Sequence, residues 1–569
     1  MQKFIIYFFF FFLSGQVLGQ SPSWIWAKMG CGGNGGSNVS NDITKDKYGN
    51  IYVIGSFTKS QIYFDTITLN NLDISNSGPN MFLLKYTSQG QILWGRNMGG
   101  YSNSVVGNGV KVDTSGNVYV VGTFGAYSSI VFGNDTLACL GGSKAMFIAK
   151  YDSLGNDLWG KTGVVSGTGG YSYGNDITID KNNNIYVTGS YGGASINFGG
   201  NVLTNAGNAE AYIVKYDTLG NANWAKQIIG SLADAGTRID ADNQGNIIIA
   251  GNADSPSLNF GSLVINTAIS NFNNLFFAKY DAMGNAIWAN CPGAGSISAI
   301  NGIATDDNNN IYLSGVYDAT MNFGSGIFNT PDPNYGHTDM FLVKYDAAGN
   351  GVWGKHAGLQ NKHDGANRVC YDKSDGSIST VGYFSSANIS FAGVTLFNSN
   401  SVVTFSNIFI LKHDTSGNLM WAQGVGSYQS ENDKGVGVFA DSGNVFLTGT
   451  LESSQIDFGS ISVSTLGNDY SDVFVAKFGN INTGIEETVN QNSVFLYPNP
   501  AIETLTLEIN GKNEMYWKIS DITGRELIYG SVESKTQKID ISFLGSGVYF
   551  LYLLDKNRQK FSTKKLIKL

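Results

Sequence analysis

KYDSLGNDLW, residues 150–159, decides how this chain is read, because the chain writes it repeatedly. KYDTLGNANW ends at Trp224, KYDAMGNAIW at Trp288, KYDAAGNGVW at Trp353 and KHDTSGNLMW at Trp421, and a looser KYTSQGQILW ends at Trp94. In all six the Gly stands four residues before the Trp. Self-similarity at a fixed period marks a repeat architecture before any local propensity is consulted. With Trp26 added, the tryptophans (Trp26, Trp94, Trp159, Trp224, Trp288, Trp353, Trp421) fall at spacings of 68, 65, 65, 64, 65 and 68.

Between successive tryptophans lies a second mark: DKYGNIYVIG ending at Gly55, DTSGNVYVVG at Gly122, DKNNNIYVTG at Gly189, DNQGNIIIAG at Gly251, DDNNNIYLSG at Gly315, DKSDGSISTVG at Gly382 and DSGNVFLTG at Gly449. An INFGG-like stretch follows, then an FLLK-like strand ending at Lys85, Lys150, Lys215, Lys279, Lys344, Lys412 or Lys477. A short Asp/Asn/Gly cluster between alternating apolar runs is a β-hairpin signal, since Asp caps the turn and Gly or Asn accepts positive φ. Each unit therefore reads as at least four antiparallel strands, one blade of a propeller. The chain enters on a Trp strand and leaves on a Lys strand, so the seventh unit lacks the strand that SWIWAK around Trp26 supplies. The expected fold is all-β: a seven-bladed β-propeller closed by the N-terminal strand, followed by a small Ig-like β-sandwich. An open solenoid of seven units would leave half-units at both ends.

The units, D-x-x-G-N-x-Y-V-x-G followed by K-x-x-x-x-G-x-x-x-W, resemble the bacterial propeller repeats known as SBBP repeats over about residues 24–480. DKSDGSISTVG departs from that pattern, and the seventh copy is one residue short. The resemblance brings no single activity with it.

Composition agrees with an all-β chain: 73 Gly, 29 Tyr and 34 Phe stand against only 14% charged residues, a mix of turn formers and strand formers. The net charge is −9, although from Ser493 onward 11 Lys/Arg outnumber 8 Asp/Glu. An acidic body gives no electrostatic reason to expect nucleic acid. Residues 1–19 read as a signal peptide, with Lys3, an apolar run from Phe4 to Leu13 and small residues near Gly19. That run is half the roughly 20 residues a membrane span needs, and no transmembrane segment is expected in the mature chain. Cys31, Cys139, Cys291 and Cys370 form no disulfide framework, and their pairing is left open.

The expected domains are the signal peptide (1–19), the propeller (20–480), a polar linker (481–492) and a tail (493–569) of seven short strands. That tail resembles the type A C-terminal sorting domain of type IX secretion. The residues that carry the likeness are Tyr497, Pro498, Asn499 and Pro500, then Asp521 and Gly524, Leu544, Gly547, Val548 and Tyr549, and the basic end with Lys564, Lys565 and Lys568. The resemblance implies the secretion machinery and its surface sortase as partners, and delivery through the outer membrane to the cell surface or the medium.

Inside the repeats the same residues have structural uses. One Trp per unit at fixed register is what core packing requires. The Lys series needs partners, expected in neighbouring turns at Asp152 or Asp217. Asp180, Asp242 and Asp306 are calcium candidates by oxygen density but lack EF-hand spacing; an Asx turn uses them equally well, and no other cofactor is expected. Asn41, Asn108, Asn175, Asn301 and Asn367 hold one register, either as a polar ring or as strand-start hydrogen bonds. His356 and His363 near Asp364 match no metal or catalytic pattern. No catalytic residues are assigned. The expected function is a binding or adhesion module for a glycan or protein, with ligand loops at Ser166–Tyr173 and Asn329–Thr338. The alternatives are a secreted polysaccharide hydrolase or lyase, which a cluster of acids would favour, and a purely structural surface component.

Overall fold

The computed structural model describes residues 22–569 except 33–34, 73–77, 101–103, 126–128, 140–141, 168, 268–272, 330–335, 360, 400–404, 428–430, 466–469, 481–493, 510–514, 522–523, 533 and 555–559. The signal-peptide and linker readings fall outside the described residues. Among the described residues every regular element is a β-strand. The chain divides into two compact units, Met1–Asn480 and Ile481–Leu569.

In the first unit a four-stranded antiparallel group recurs. It begins with Asn38–Lys45, Ile51–Phe57, Asn80–Tyr86 and Ile92–Met98, hydrogen-bonded in that order. Equivalent groups start at Val105, Gly170, Asp234, Ala299 and Asp364. The group starting at Lys434 contains Asn444–Leu451 and Asp472–Gly479, and its fourth strand is Ser23–Gly32 from the other end of the chain. One register runs through all of them, with Lys85 opposite Trp94, Lys150 opposite Trp159, Lys215 opposite Trp224, Lys279 opposite Trp288, Lys344 opposite Trp353 and Lys412 opposite Trp421. Trp26 faces Lys477 in the same way.

The hairpin sequence explains its own geometry. Asp152 Oδ1 accepts the backbone N–H groups of Leu154 and Asn156, Oδ2 accepts the Asn156 side chain, and Gly155 takes φ +80°. That Gly also lies against the Trp94 ring of the preceding unit, where a Cβ would come within 3.2 Å. Gly220 lies on Trp159 in the same way, and Gly90 on Trp26. The Trp94 indole and the Lys85 ammonium both donate to the Ser153 carbonyl of that hairpin, at 3.3 and 2.9 Å. Trp26 and Lys477 converge likewise on the Ser88 carbonyl, at 3.1 and 3.4 Å. Lys partners are therefore found in the neighbouring turn, but at the backbone carbonyl after the expected Asp: Ser153 for Lys85, and Thr218 for Lys150. The carboxylate at ion-pair distance from Lys85 is Asp46 of its own unit, at 3.8 Å. Burial pulls the Lys85, Lys150 and Lys344 ammonium groups below the ordinary lysine range, opposed by Asp46, Asp113 and Asp306.

The departures from the repeat have local causes. In DKSDGSISTVG the extra Asp375 binds the Lys412 ammonium directly at 2.6 Å. The short seventh copy makes a two-residue turn, Ser442 and Gly443, with both residues at positive φ (54° and 76°) between the paired Asp441 and Asn444; this is the twist that two-residue hairpins prefer. The INFGG stretches form separate small hairpins, such as Ser195–Phe198 with Asn201–Thr204. Several pair with the end of the preceding unit's fourth strand: Val164–Ser166 with Ser195–Phe198, and Ser23–Gly32 with Gln61–Phe64.

The second unit contains a three-stranded sheet (Val494–Tyr497, Thr504–Ile509, Thr536–Asp540) and a four-stranded one (Glu526–Ser531, Tyr516–Asp521, Gly547–Leu554, Lys560–Lys568). Leu505, Leu507, Ile519, Leu551, Leu553 and Leu566 are buried together between them.

Candidate functional site

The first strand of each repeat carries a bulge, and the bulges build the site. Each shifts register by one residue, between Ser40 and Asp42, Gly107 and Gly109, Gly174 and Asp176, Gly236 and Arg238, and so on to Gly435 and Gly437. A bulged residue is unpaired and its side chain is re-aimed. In five of the seven repeats the bulged residue is the Asn of the repeating series, and in the last it is Val436. Asn41 Nδ2 donates to the Gly107 carbonyl at 2.7 Å, Asn108 to Gly174 at 2.8 Å, Asn175 to Gly236 at 2.8 Å, Asn301 to Ala366 at 3.2 Å and Asn367 to Gly435 at 2.7 Å. Thr237 replaces Asn in the fourth unit and reaches the Ile300 carbonyl through Oγ1 at 3.1 Å. These amides stitch one unit to the next.

The residue after each bulge is Asp42, Gly109, Asp176, Arg238, Gly302, Arg368 or Gly437. Asp42, Asp176 and Arg368 of this series line a cavity of about 260 Å³, whose wall takes first-strand residues from all the repeats, from Asp42–Thr44 to Val438–Phe439. Arg368 crosses it. Its Nη2 binds Asp42 Oδ1 at 2.7 Å, and Nη1 lies 3.7 Å from Asp176 Oδ2. All three side chains are buried. Oδ2 of Asp42 accepts the Val110 N–H, and the same Oδ2 of Asp176 that faces Arg368 accepts the Ile239 N–H, each at 3.1 Å. Asp240 accepts the Thr305 and Thr178 hydroxyls at 3.0 and 3.3 Å. Arg238 donates to the Asn301 and Thr237 carbonyls.

Environment separates the acids. Burial works against ionisation of Asp42, but the Arg368 guanidinium beside it prevails and holds the carboxyl below its usual value. Burial raises Asp240, with Lys111 opposing. Burial and the neighbouring Arg368 push Arg238 down to about 10, still charged at neutral pH. Burial pushes the Cys370 thiol at the cavity wall up to about 12.

The sequence-assigned positions fall elsewhere. Asp180, Asp242 and Asp306 are buried in hairpin turns. Oδ1 of each accepts two backbone N–H groups, and Oδ2 accepts the Asn184, Asn246 or Asn310 amide. Asp242 also holds Lys279 at 2.9 Å. Among the described residues no group of three or more His, Cys, Asp or Glu is arranged for a metal. The Trp residues lie in the packing described above. His356 meets the Tyr317 hydroxyl at 3.0 Å, and His363 stacks by His337 with centroids 5.1 Å apart. The sequence motif therefore does not bring His356 and His363 into one site. Asp364 is taken up by Ser385, Ser386 and Leu359. Most of the Asn329–Thr338 loop lies outside the described residues. In the other loop Tyr171 and Tyr173 pack at 5.5 Å, with Lys144 over Tyr173 at 5.0 Å.

In the second unit Asn499 joins the entry segment to the last strand. Its Nδ2 donates to the Lys565 carbonyl at 2.7 Å, and its Oδ1 accepts the Ile567 N–H at 2.9 Å. Asp521 and Gly524 close a turn in which Gly524 has φ +84° and Arg525 donates to Asp521. Tyr549 donates to the Gly545 carbonyl. Lys568 is buried and donates to the Leu569 carbonyl, while Lys565 stays exposed. This segment matches the family model described as secretion system C-terminal sorting domain. Residues 495–569 are a type IX sorting domain. The sorting domain marks the protein for export by type IX secretion to the cell surface or extracellular space.

Within the curated proteins the chain is 28% identical over 430 residues to an uncharacterized WD repeat-containing protein of Acanthamoeba polyphaga mimivirus, covering 63% of this chain and 30% of that protein. Among solved structures it is similar to polysaccharide lyase Uly1 (10% identity, 79% of this chain and 90% of that one, TM-score 0.36). It is also similar to PorZ, a bacterial surface component of the type IX secretion system of Porphyromonas gingivalis (11% identity, 93% and 81%, TM-score 0.20). Scores of that size carry no inference about activity. That relative is described as WD repeat-containing, and the recurring four-stranded groups of the first unit agree with a repeat architecture.

The central charges escaped the sequence reading because no two belong to one motif. The available signal was a column of the repeat that holds either Gly or a charge.

Proposed function

We propose that the first unit is a seven-bladed propeller of SBBP type, closed by the strand around Trp26, and that the sorting domain delivers it outside the cell as a binding module. The closure reading is supported by the pairing of Ser23–Gly32 with Asp472–Gly479 and by the shared Ser88 carbonyl. The binding reading rests on one observation: Arg368, Asp42 and Arg238 are turned on each other and on backbone groups, Arg368 on Asp42 above all, as in a structural network. The repeat registers serve the scaffold, and the chemistry that differs from unit to unit lies in the connecting loops. A glycan or another surface protein is the ligand. A signal peptide at residues 1–19 takes the chain into the periplasm, and the surface sortase acts on the tail.

The second reading, a polysaccharide hydrolase or lyase, is favoured by a specific feature. Three carboxylates approach one cavity in environments that move Asp42 and Asp240 in opposite directions, the pattern of an acid–base pair. The test is a glycan array probed with the secreted chain, beside a product assay on the same polysaccharides. Retention of a glycan with no product is expected. Turnover that disappears in Asp240→Asn would replace the binding reading with the second.

A further inference from the structure

The network around Arg368 leaves two groups of opposite sign open in the same cavity. Lys111 and Asp240 both line it, and both are half-buried. Among the described residues, Lys111 has no hydrogen-bond or ion-pair partner, and no cation lies at ion-pair distance from Asp240. A third group points to a ligand independently: Asp176 is 3% exposed and lines the cavity, and its Oδ1 has no hydrogen-bond partner. A charged or polar group withdrawn from water without a partner is costly, so the cavity is short of an acceptor near Lys111, of a cation near Asp240, whose oxygens hold the neutral Thr178 and Thr305 hydroxyls, and of a donor at Asp176 Oδ1.

We propose that this cavity binds a small zwitterion of the free α-amino-acid class, its carboxylate on Lys111 and its ammonium shared by Asp240 and the open oxygen of Asp176. A neutral polyol would supply hydrogen bonds but leave Lys111 and Asp240 acting on each other only from beyond ion-pair distance. A simple anion would satisfy Lys111 and repel Asp240, and a simple amine would do the reverse. A zwitterion compensates both and adds no net charge. The size agrees, since about 260 Å³ falls below the roughly 300 Å³ at which drug-sized pockets begin. Arg368 does not compete for the carboxylate, because Asp42 already holds it.

Calorimetry on the secreted chain with L-alanine, acetate, ethylamine and glucose tests the assignment. L-alanine binds at least about tenfold tighter than the other three. Lys111→Gln and Asp240→Asn each weaken it by roughly tenfold or more, and Lys161→Gln on a fourth strand leaves it unchanged. The Lys111 side chain makes no protein hydrogen bond for Lys111→Gln to break, and near-ultraviolet circular dichroism checks that the variant folds. The inference is overturned if no probe binds, if acetate, ethylamine or glucose equals L-alanine, or if either cavity variant binds as the unsubstituted chain does. Glycan-array binding that persists in both variants leaves the binding-module reading standing while this one falls.

Discussion

A hairpin glycine carries two constraints at one Cα. Gly220 has φ +84° and meets the Trp159 ring of the preceding unit, where a Cβ would come within 3.0 Å. Ala at that position takes on the left-handed penalty, about 1–2 kcal/mol, and also displaces the indole. Gly220→Ala should therefore lower the urea midpoint by more than Gly245→Ala, whose φ is +85° but whose Cβ would meet nothing within 4 Å. Equal losses would mean the ring contact contributes nothing. Asp42 is the second residue-scale case. Asp42→Asn leaves the Arg368 guanidinium buried without its closest carboxylate, a change that typically costs about 3–5 kcal/mol. Asp42→Asn with Arg368→Met removes both charges and should recover much of that loss in chemical denaturation. A double variant less stable than the single one would show that Arg368 is held by other groups.

At the scale of the strand, Ser23–Gly32 behaves as any other fourth strand although it comes from the opposite end of the unit. Trp26→Ala should destabilise the protein as Trp159→Ala does, by about 3–5 kcal/mol. Cysteines placed at Ala27 and Ala476, which are register partners, should form a disulfide on oxidation, mapped by mass spectrometry; no cross-link would contradict the pairing. This strand was legible in the sequence because it bears the same Trp register as six other copies, and repetition filters out local noise. The Lys partners were half legible: the turn was right, but a carbonyl one residue from the expected Asp took the ammonium, because the Asp oxygens are already filled by the turn's own amides. Asp42, Asp176, Asp240 and Arg368 could not be read as a site, since their proximity depends on how separate units stand around one cavity and not on any spacing along the chain.

For the whole molecule, the buried acids set an unusual pH dependence. Burial pushes Asp433 and Glu210 up to about 7 and Asp234 to about 6. In the unfolded chain these groups ionise near 4. Between about pH 4 and 7 the folded state holds protons that the unfolded state has released, so stability falls as pH rises through that window. Asp346 and Asp414 act in the opposite sense. The side-chain amides of Asn350 and Asn418 hold them below the usual carboxylate value, so their contribution is lost only in stronger acid. The urea midpoint should be higher at pH 5 than at pH 8, and the reverse order would sink this account. Removal of residues 493–569 should leave the protein in the periplasm, as followed by cell fractionation; unaltered surface display would show that export does not use the sorting domain.

The strand Ser23–Gly32 is synthesised before the repeat groups, yet its partner Asp472–Gly479 comes only with the last of them. A product that stops early keeps an unmatched edge, the kind of surface that invites aggregation or proteolysis. The segment that mates with it is made just before the sorting domain. A product that stops before Asp472 thus lacks both the partner of Ser23–Gly32 and the sorting domain that marks the protein for export.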